Sequence, residues 1–240
     1  MAPSSSRHGS CGQKDVGAFD ALLSVLLAPT CAACGAVLDT PMFSAVCKNC
    51  WRTIPPIAQP VLGTPGVITV SGAAGEYDGS LRAIIHAFKY DKRRSLAFGL
   101  AVLMGDRAGE ILQGADCSIP VPLHPRRERA RGFNQAREIA RRLELPVVEA
   151  LVRSRHTPSQ VDLEAEQRHA NVQGAFSLRR RWFRAPLTLE GRTVVLVDDV
   201  STTGATLEAC AAVLQDAGAR EIRALTAARV SGKTLTCMHQ

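Results

Sequence analysis

The sequence predicts an α/β domain built on a parallel sheet, preceded by a small four-cysteine module. Three observations carry this reading. Residues 193–197 (TVVLV) form an unbroken β-branched and aliphatic run, which suits a strand covered on both faces. The run leads through Asp198, Asp199, Val200, Ser201, Thr202, Thr203 and Gly204 into Leu207, Cys210, Ala211 and Leu214 at helical spacing, with Gly218 placed to stop the helix. Two C-x-x-C pairs, Cys31/Cys34 and Cys47/Cys50, stand twelve residues apart near the N-terminus. At 240 residues and 46% hydrophobic content, the chain can bury one full α/β core and carry such a module beside it.

The order strand, acidic edge, hydroxyl-glycine turn, helix has a chemical meaning. Free N–H groups at a helix start bind a phosphate, and Ser and Thr hydroxyls add donors to the same oxygens. Carboxylates beside a phosphate repel it unless they have another task, such as accepting hydrogen bonds from sugar hydroxyls or holding Mg²⁺. A ligand with a phosphate on one side of a ribose satisfies both halves. The stretch lacks the Gly-Lys-Ser/Thr of a P-loop and the G-x-G-x-x-G of a dinucleotide loop.

VVLVDDVSTTGAT closely resembles the phosphoribosyl-pyrophosphate (PRPP) signature of type I phosphoribosyltransferases. The resemblance implies that fold, a parallel sheet flanked by helices. It also implies that Asp198 and Asp199 hold the ribose hydroxyls and that Val200, Ser201, Thr202, Thr203, Gly204, Ala205 and Thr206 cradle the 5-phosphate. Mg²⁺ is expected to arrive with PRPP.

The cysteine module reads as a metal site. Two C-x-x-C knuckles can place four thiolates around one tetrahedral ion, and Zn²⁺ prefers that shell; a rubredoxin-like iron uses the same ligands. With Cys31, Cys34, Cys47 and Cys50 all bound, no position remains for water, so a zinc would be structural. Such a segment is too short for its own apolar core, and metal binding would supply its folding energy. Trp51 is expected to pack, not to stack on bases. The other four cysteines are scattered, which suits a reducing, cytoplasmic compartment better than a disulfide framework.

Elsewhere, residues 1–17 read as a disordered tail and 18–60 as a short amphipathic helix plus the cysteine module. A Pro/Gly-rich linker then precedes the main domain at 67–230, and 231–240 read as a second tail. A short strand is expected at 67–70. Leu81, Ile84, Ile85 and Phe88 mark a helix face, with Lys89 at its end, and 96–113 continue as an apolar helix. Residues 119–123 read as the first strand of the main sheet, feeding an arginine-dense loop (Arg126, Arg127, Arg129, Arg131) and then a helix over Phe133, Ala136, Ile139, Ala140 and Leu143. A basic loop at the carboxyl end of a parallel strand is where open α/β sheets bind ligands, and the guanidinium fork suits pyrophosphate. Lys89 is a further pyrophosphate candidate. Residues 153–160 read as a mobile loop, 163–172 as a polar helix, 179–184 (RRRWFR) as an exposed turn and 222–228 as a final strand.

PLHPRRERARGFNQA, VRSRHTPSQVDLEAEQRHANVQGAF and the PRPP motif, taken together, resemble the ComF family, and the cysteine module and IIHAFKY helix fit it too. The resemblance implies two roles. One is transfer of phosphoribosyl from PRPP, or use of a related ribose 5-phosphate compound, to a nitrogen acceptor with release of pyrophosphate. The other is non-catalytic binding of single-stranded DNA, or of competence or replication-restart proteins, with PRPP as a regulatory ligand. The net charge of +7 fits phosphate-rich ligands or nucleic acid without choosing between them. No apolar run is long enough to span a bilayer.

Overall fold

The computed structural model describes residues 29–38, 45–57, 61–62, 66–154, 174–179 and 188–230. The tails, the expected amphipathic helix, the polar helix at 163–172, and all but the first residues of the 153–160 loop and the RRRWFR turn lie outside them.

Among the described residues, five strands form the main sheet in the order β1-β2-β7-β6-β3. They are β1 (Val61–Leu62), β2 (Val70–Glu76), β3 (Cys117–Pro120), β6 (Thr193–Ser201) and β7 (Glu221–Arg229). All neighbours are parallel except β1, which runs antiparallel to β2 at the edge. A separate ribbon pairs β4 (Leu151–Arg153) with β5 (Phe176–Leu178). The helices are α1 (Lys48–Arg52), α2 (Gly79–Tyr90), α3 (Leu96–Ala108), α4 (Pro125–Arg131), α5 (Gln135–Ala140) and α6 (Ala205–Asp216).

Strand β6 explains the layers. Successive side chains of a strand point to opposite faces. Val195 and Val197 join one apolar cluster with Leu81, Ile84, Ile85 and Phe88 of α2 and Leu100 and Met104 of α3. Val194 and Leu196 join another with Leu207, Cys210 and Leu214 of α6 and Phe176 of the ribbon. Both faces are therefore covered, as the aliphatic run predicts.

The cysteine module shares the first of these clusters. Cys31, Val46, Cys50 and Ile54 are buried in it. The Trp51 indole lies against Gly99 of α3, where a Cβ would collide with the ring. Arg107 of α3 donates to the carbonyls of Ile54 (2.7 Å), Ala74 (2.9 Å) and Pro55 (3.1 Å). Trp51 thus packs, as expected, and it joins the module to α3, while Arg107 ties α3 to the module and to β2.

Several expectations are corrected. The first strand in the main sheet is not the one near residue 119, because β1 and β2 precede it and β3 ends at Pro120. The ladder runs one bond further, from the Val121 N–H to the Val197 carbonyl at 2.9 Å. The 67–70 strand begins at Val70 and runs to Glu76, and the linker contributes β1. The arginine-dense stretch is a helix, α4, started by His124, whose Nδ1 accepts from the Arg126 N–H at 3.2 Å, and by Pro125. It stops at Gly132, whose φ of 82° is the left-handed conformation glycine tolerates. That break confines the following helix to Gln135–Ala140, capped by Asn134. The apolar helix from 96 ends at Ala108 and tightens into a 3₁₀ turn, Gly109–Leu112.

Filling the notch under Trp51 tests this packing. Gly99→Leu is expected to destabilise the fold by about 1–3 kcal/mol, read as a lower melting midpoint.

Candidate functional site

The site lies past the carboxyl ends of β6 and β3. It is a cavity of about 390 Å³. Asp198, Asp199, Val200, Ser201, Thr202, Gly204, Ala205 and Thr206 line it from β6 and the start of α6, and Arg127, Arg131 and Gln135 line it from α4 and α5. Lys89 and Tyr90 come from the end of α2, and Arg153 from β4.

The turn that enters α6 is made by Gly204, at φ 78°. No side chain caps the helix across its first turn; instead Thr203 Oγ1 accepts from the Ala205 N–H at 3.4 Å. The hydroxyl-rich turn thus sets the start of α6, where backbone N–H groups and the helix dipole favour an anion, at the edge of the cavity.

The two acids stand on opposite faces of β6, because they are adjacent in a strand. Asp199 goes to the α2 face, where the Lys89 Nζ lies 2.8 Å from its Oδ1. Burial alone would lower the Lys89 pKa, but the Asp199 charge and hydrogen bond outweigh it and hold the ammonium protonated, with a raised pKa. Asp198 goes to the α6 face, and its Oδ1 accepts the Asp199 N–H at 2.8 Å. Burial first, and the Asp199 charge second, push the Asp198 carboxyl up to about 7. The guanidinium of Arg153 acts on Asp198 in the opposite direction. Arg153 is itself nearly buried and stands 5.2 Å from the Phe176 ring centroid.

On the opposite wall, Arg131 Nη1 donates to Gln135 Oε1 at 3.0 Å, and its guanidinium lies 5.5 Å from the Tyr90 ring centroid. Asn134 Nδ2 donates to the Val121 carbonyl at 3.0 Å, fixing α5 to the end of β3. Burial, and then the charge of Arg131, depress the Arg127 pKa.

Thus the structure brings together Asp198, Asp199, most of the 200–206 turn, Lys89, Arg127 and Arg131. Thr203 is exposed on the outer side of the turn, and Arg126 and Arg129 face solvent on α4. Helical spacing explains the split among the arginines, since Arg127 and Arg131 are four apart and share one face. Sequence reasoning missed Gln135, Tyr90 and Arg153 as lining residues. The one available signal was the spacing of Gln135 four residues after Arg131; nothing local marks a strand arginine such as Arg153.

The four thiols of the N-terminal module form a second cluster. Their sulfurs all lie within 4.8 Å of one another, and Cys34 and Cys47 are 3.9 Å apart. A tetrahedral shell with metal–sulfur bonds of about 2.3 Å needs sulfurs about 3.8 Å apart. Burial opposes ionisation of Cys31, but N–H groups of Cys47 and others pointing at its sulfur lower its pKa to about 6. Burial and the neighbouring sulfurs push Cys50 up to about 12, the crowding that a cation would relieve. The donor set fits a metal ion.

Comparison with known proteins agrees with this geometry. Residues 129–236 match the phosphoribosyl transferase domain. Competence protein F of Haemophilus influenzae is 31% identical over 235 residues, which cover 93% of this chain and 91% of that protein. The chain belongs to the ComF family. DNA utilization protein YhgH of Escherichia coli (strain K12) is 31% identical over 203 residues, 80% of this chain and 81% of that one. Competence protein ComFC of Bacillus subtilis is 32% identical over 100 residues, 42% of this chain and 38% of that one. The fold is that of a type I phosphoribosyltransferase with a four-cysteine cluster ahead of it. Among the described residues, no helix is long and apolar enough to cross a membrane.

The strain on Asp198 has a measurable sign. Its folded pKa lies above the ordinary value of 3.8, so the folded state holds a proton that the unfolded state has released between about pH 4 and 7. Stability is therefore lost as pH rises through that window. Asp198→Asn keeps the accepting oxygen and removes the charge. It is expected to raise the melting midpoint at pH 8 by roughly 2–4 °C and to change it little at pH 4; an equal shift at both pH values would count against this.

Proposed function

We propose that this ComF family member binds PRPP with Mg²⁺ in the 390 Å³ cavity and transfers its phosphoribosyl group to a nitrogen nucleophile. The observation that carries the reading is the meeting, in one cavity, of the 201–206 turn, both acids, and Arg127 and Arg131. In this reading the C1–oxygen bond to pyrophosphate breaks with its electron pair leaving on pyrophosphate. The acceptor nitrogen forms the new bond to C1 and gives up its proton.

Each group then has a task. The amides and hydroxyls of the turn hold the 5-phosphate. Asp198 and Asp199 accept from the ribose hydroxyls, one from each face of β6. Arg127 and Arg131 draw the pyrophosphate away as charge builds on it. Mg²⁺ would screen the pyrophosphate charge, and Asp198 and Asp199 are the carboxylates within reach of it. For Asp199 to engage ligand, Lys89 must release it, and the ammonium is then free for a pyrophosphate oxygen.

The four-cysteine cluster is proposed to hold a structural Zn²⁺, and the location is proposed to be cytoplasmic, in keeping with the free thiols of Cys117 and Cys210. A second reading draws on the names of the relatives, two of which are competence proteins and one a DNA utilization protein. In it the protein binds single-stranded DNA, or competence or replication-restart proteins, through its cationic exterior, and PRPP is a signal. The cavity is too small for a strand, so such binding would use the surface that carries Arg126 and Arg129.

Calorimetry with PRPP and Mg²⁺ is expected to show one site per chain. Asp199→Asn should reduce pyrophosphate release with the cognate acceptor by about a hundred- to a thousandfold. No heat at millimolar PRPP would sink the proposal. Affinity for single-stranded DNA that falls steeply with salt and survives Asp199→Asn would favour the second reading. Metal analysis should find one zinc per chain, and Cys34→Ser should lower that content; an unchanged load would refute the four-cysteine site.

A further inference from the structure

Gln135 sits at the first position of α5 and is 1% exposed. It lines the ligand cavity. Its two amide atoms are treated differently. Oε1 accepts from Arg131 Nη1 at 3.0 Å, while Nε2 is sealed from solvent and has no hydrogen-bond partner.

The orientation of this amide follows from chemistry. Arginine is donor-only, so the atom it faces must be the carbonyl oxygen. Turning the amide over would set two donors against each other. Nε2 is therefore fixed as a donor with nothing to donate to. Buried donors without partners are rare in native proteins, because each forfeits the hydrogen bond it had in water. In a residue that lines a ligand cavity, one explanation is a partner that arrives with the ligand. At this position the partner must offer a lone pair, and the cations around it (Lys89, Arg127 and Arg131) call for a negatively charged oxygen.

We propose that Gln135 is a binding residue of the site, its Nε2–H reserved for a phosphoryl oxygen of pyrophosphate. The assignment rests on the phosphoribosyl reading above and adds a neutral donor that selects for an acceptor oxygen. The pyrophosphate half is preferred over the 5-phosphate because Gln135 is tied to Arg131, not to the 201–206 turn. An arginine cluster alone attracts any anion. An amide pinned by one of those arginines accepts only an oxygen at a particular place beside it. Gln135 thus converts general attraction into recognition of position.

The substitution Gln135→Met keeps the length and apolar stem but removes the orphaned donor. The change relieves an unsatisfied donor and also removes the acceptor for Arg131, so the two effects offset and the melting midpoint without ligand should change little. Affinity for inorganic pyrophosphate with Mg²⁺, measured by calorimetry on the full chain, should fall about 10- to 100-fold, while affinity for ribose 5-phosphate should hold. In an Arg131→Met background the same substitution should weaken pyrophosphate further. Gln135→Glu supplies a second route: it keeps the acceptor for Arg131 and sets a carboxylate oxygen against the anion, so the loss should be larger.

The inference is overturned if pyrophosphate affinity is unchanged in Gln135→Met and Gln135→Glu. It is equally overturned if only ribose 5-phosphate is affected, or if the effect vanishes once Arg131 is gone, which would make Gln135 a support for that arginine. A wild-type protein that binds neither PRPP nor pyrophosphate would instead sink the phosphoribosyl reading itself.

Discussion

The site depends on a strand that is buried on both faces until its last residues. Val194 to Val197 alternate into two apolar clusters, and the same alternation then sends Asp198 and Asp199 to opposite sides of the sheet. Two neighbouring carboxylates would otherwise repel each other and compete for the same counter-ion. Placed on different faces, they meet different partners: Lys89 on the α2 side, Arg153 on the α6 side. Asp199 sits against the Lys89 ammonium, while Asp198 has burial and its neighbour's charge against its ionisation. The pair is asymmetric before any ligand enters.

The surrounding structure serves to hold that strand end in place. Helix α2 can present Lys89 because its apolar face is sunk in the first core cluster and because α3 packs behind it. The cysteine module closes the same cluster from outside, through Trp51 in the Gly99 notch and through the Arg107 side chain that binds three carbonyls. The cysteine module is thus mechanically continuous with the helix that carries Lys89.

Much of this was legible in the sequence because the signals were local. The aliphatic run, the adjacent acids, the small residues after them and the cysteine spacing each report on their own few residues. The helix over Leu81 to Phe88 was legible for the same reason. What escaped was set by long-range packing. β2 carries a run of four small residues, Gly72, Ala73, Ala74 and Gly75, with no strand-like alternation, and is a strand because β7 pairs along it. The arginine stretch looks like a loop by charge, yet His124 and Pro125 start a helix and Gly132 ends it. Arg153 reaches the cavity only because the β4–β5 ribbon packs against α6, a contact that no periodicity announces.

Charge balance inside the cavity bears on the ligand proposed for it. Arg82, Lys89, Arg127, Arg131 and Arg153 face two carboxylates, an excess of three positive charges when both acids are ionised. With Asp198 held near neutrality by a pKa of about 7, the excess is larger. Burial first, and the charge of a neighbouring guanidinium second, lower the Arg127 and Arg153 pKa values. A ligand with a single phosphate, carrying about −1.5 to −2 charge, would leave much of that repulsion in place. One that also carries a pyrophosphate would cancel it. This cation excess suits the proposed PRPP, which carries a pyrophosphate besides its 5-phosphate, better than a sugar monophosphate.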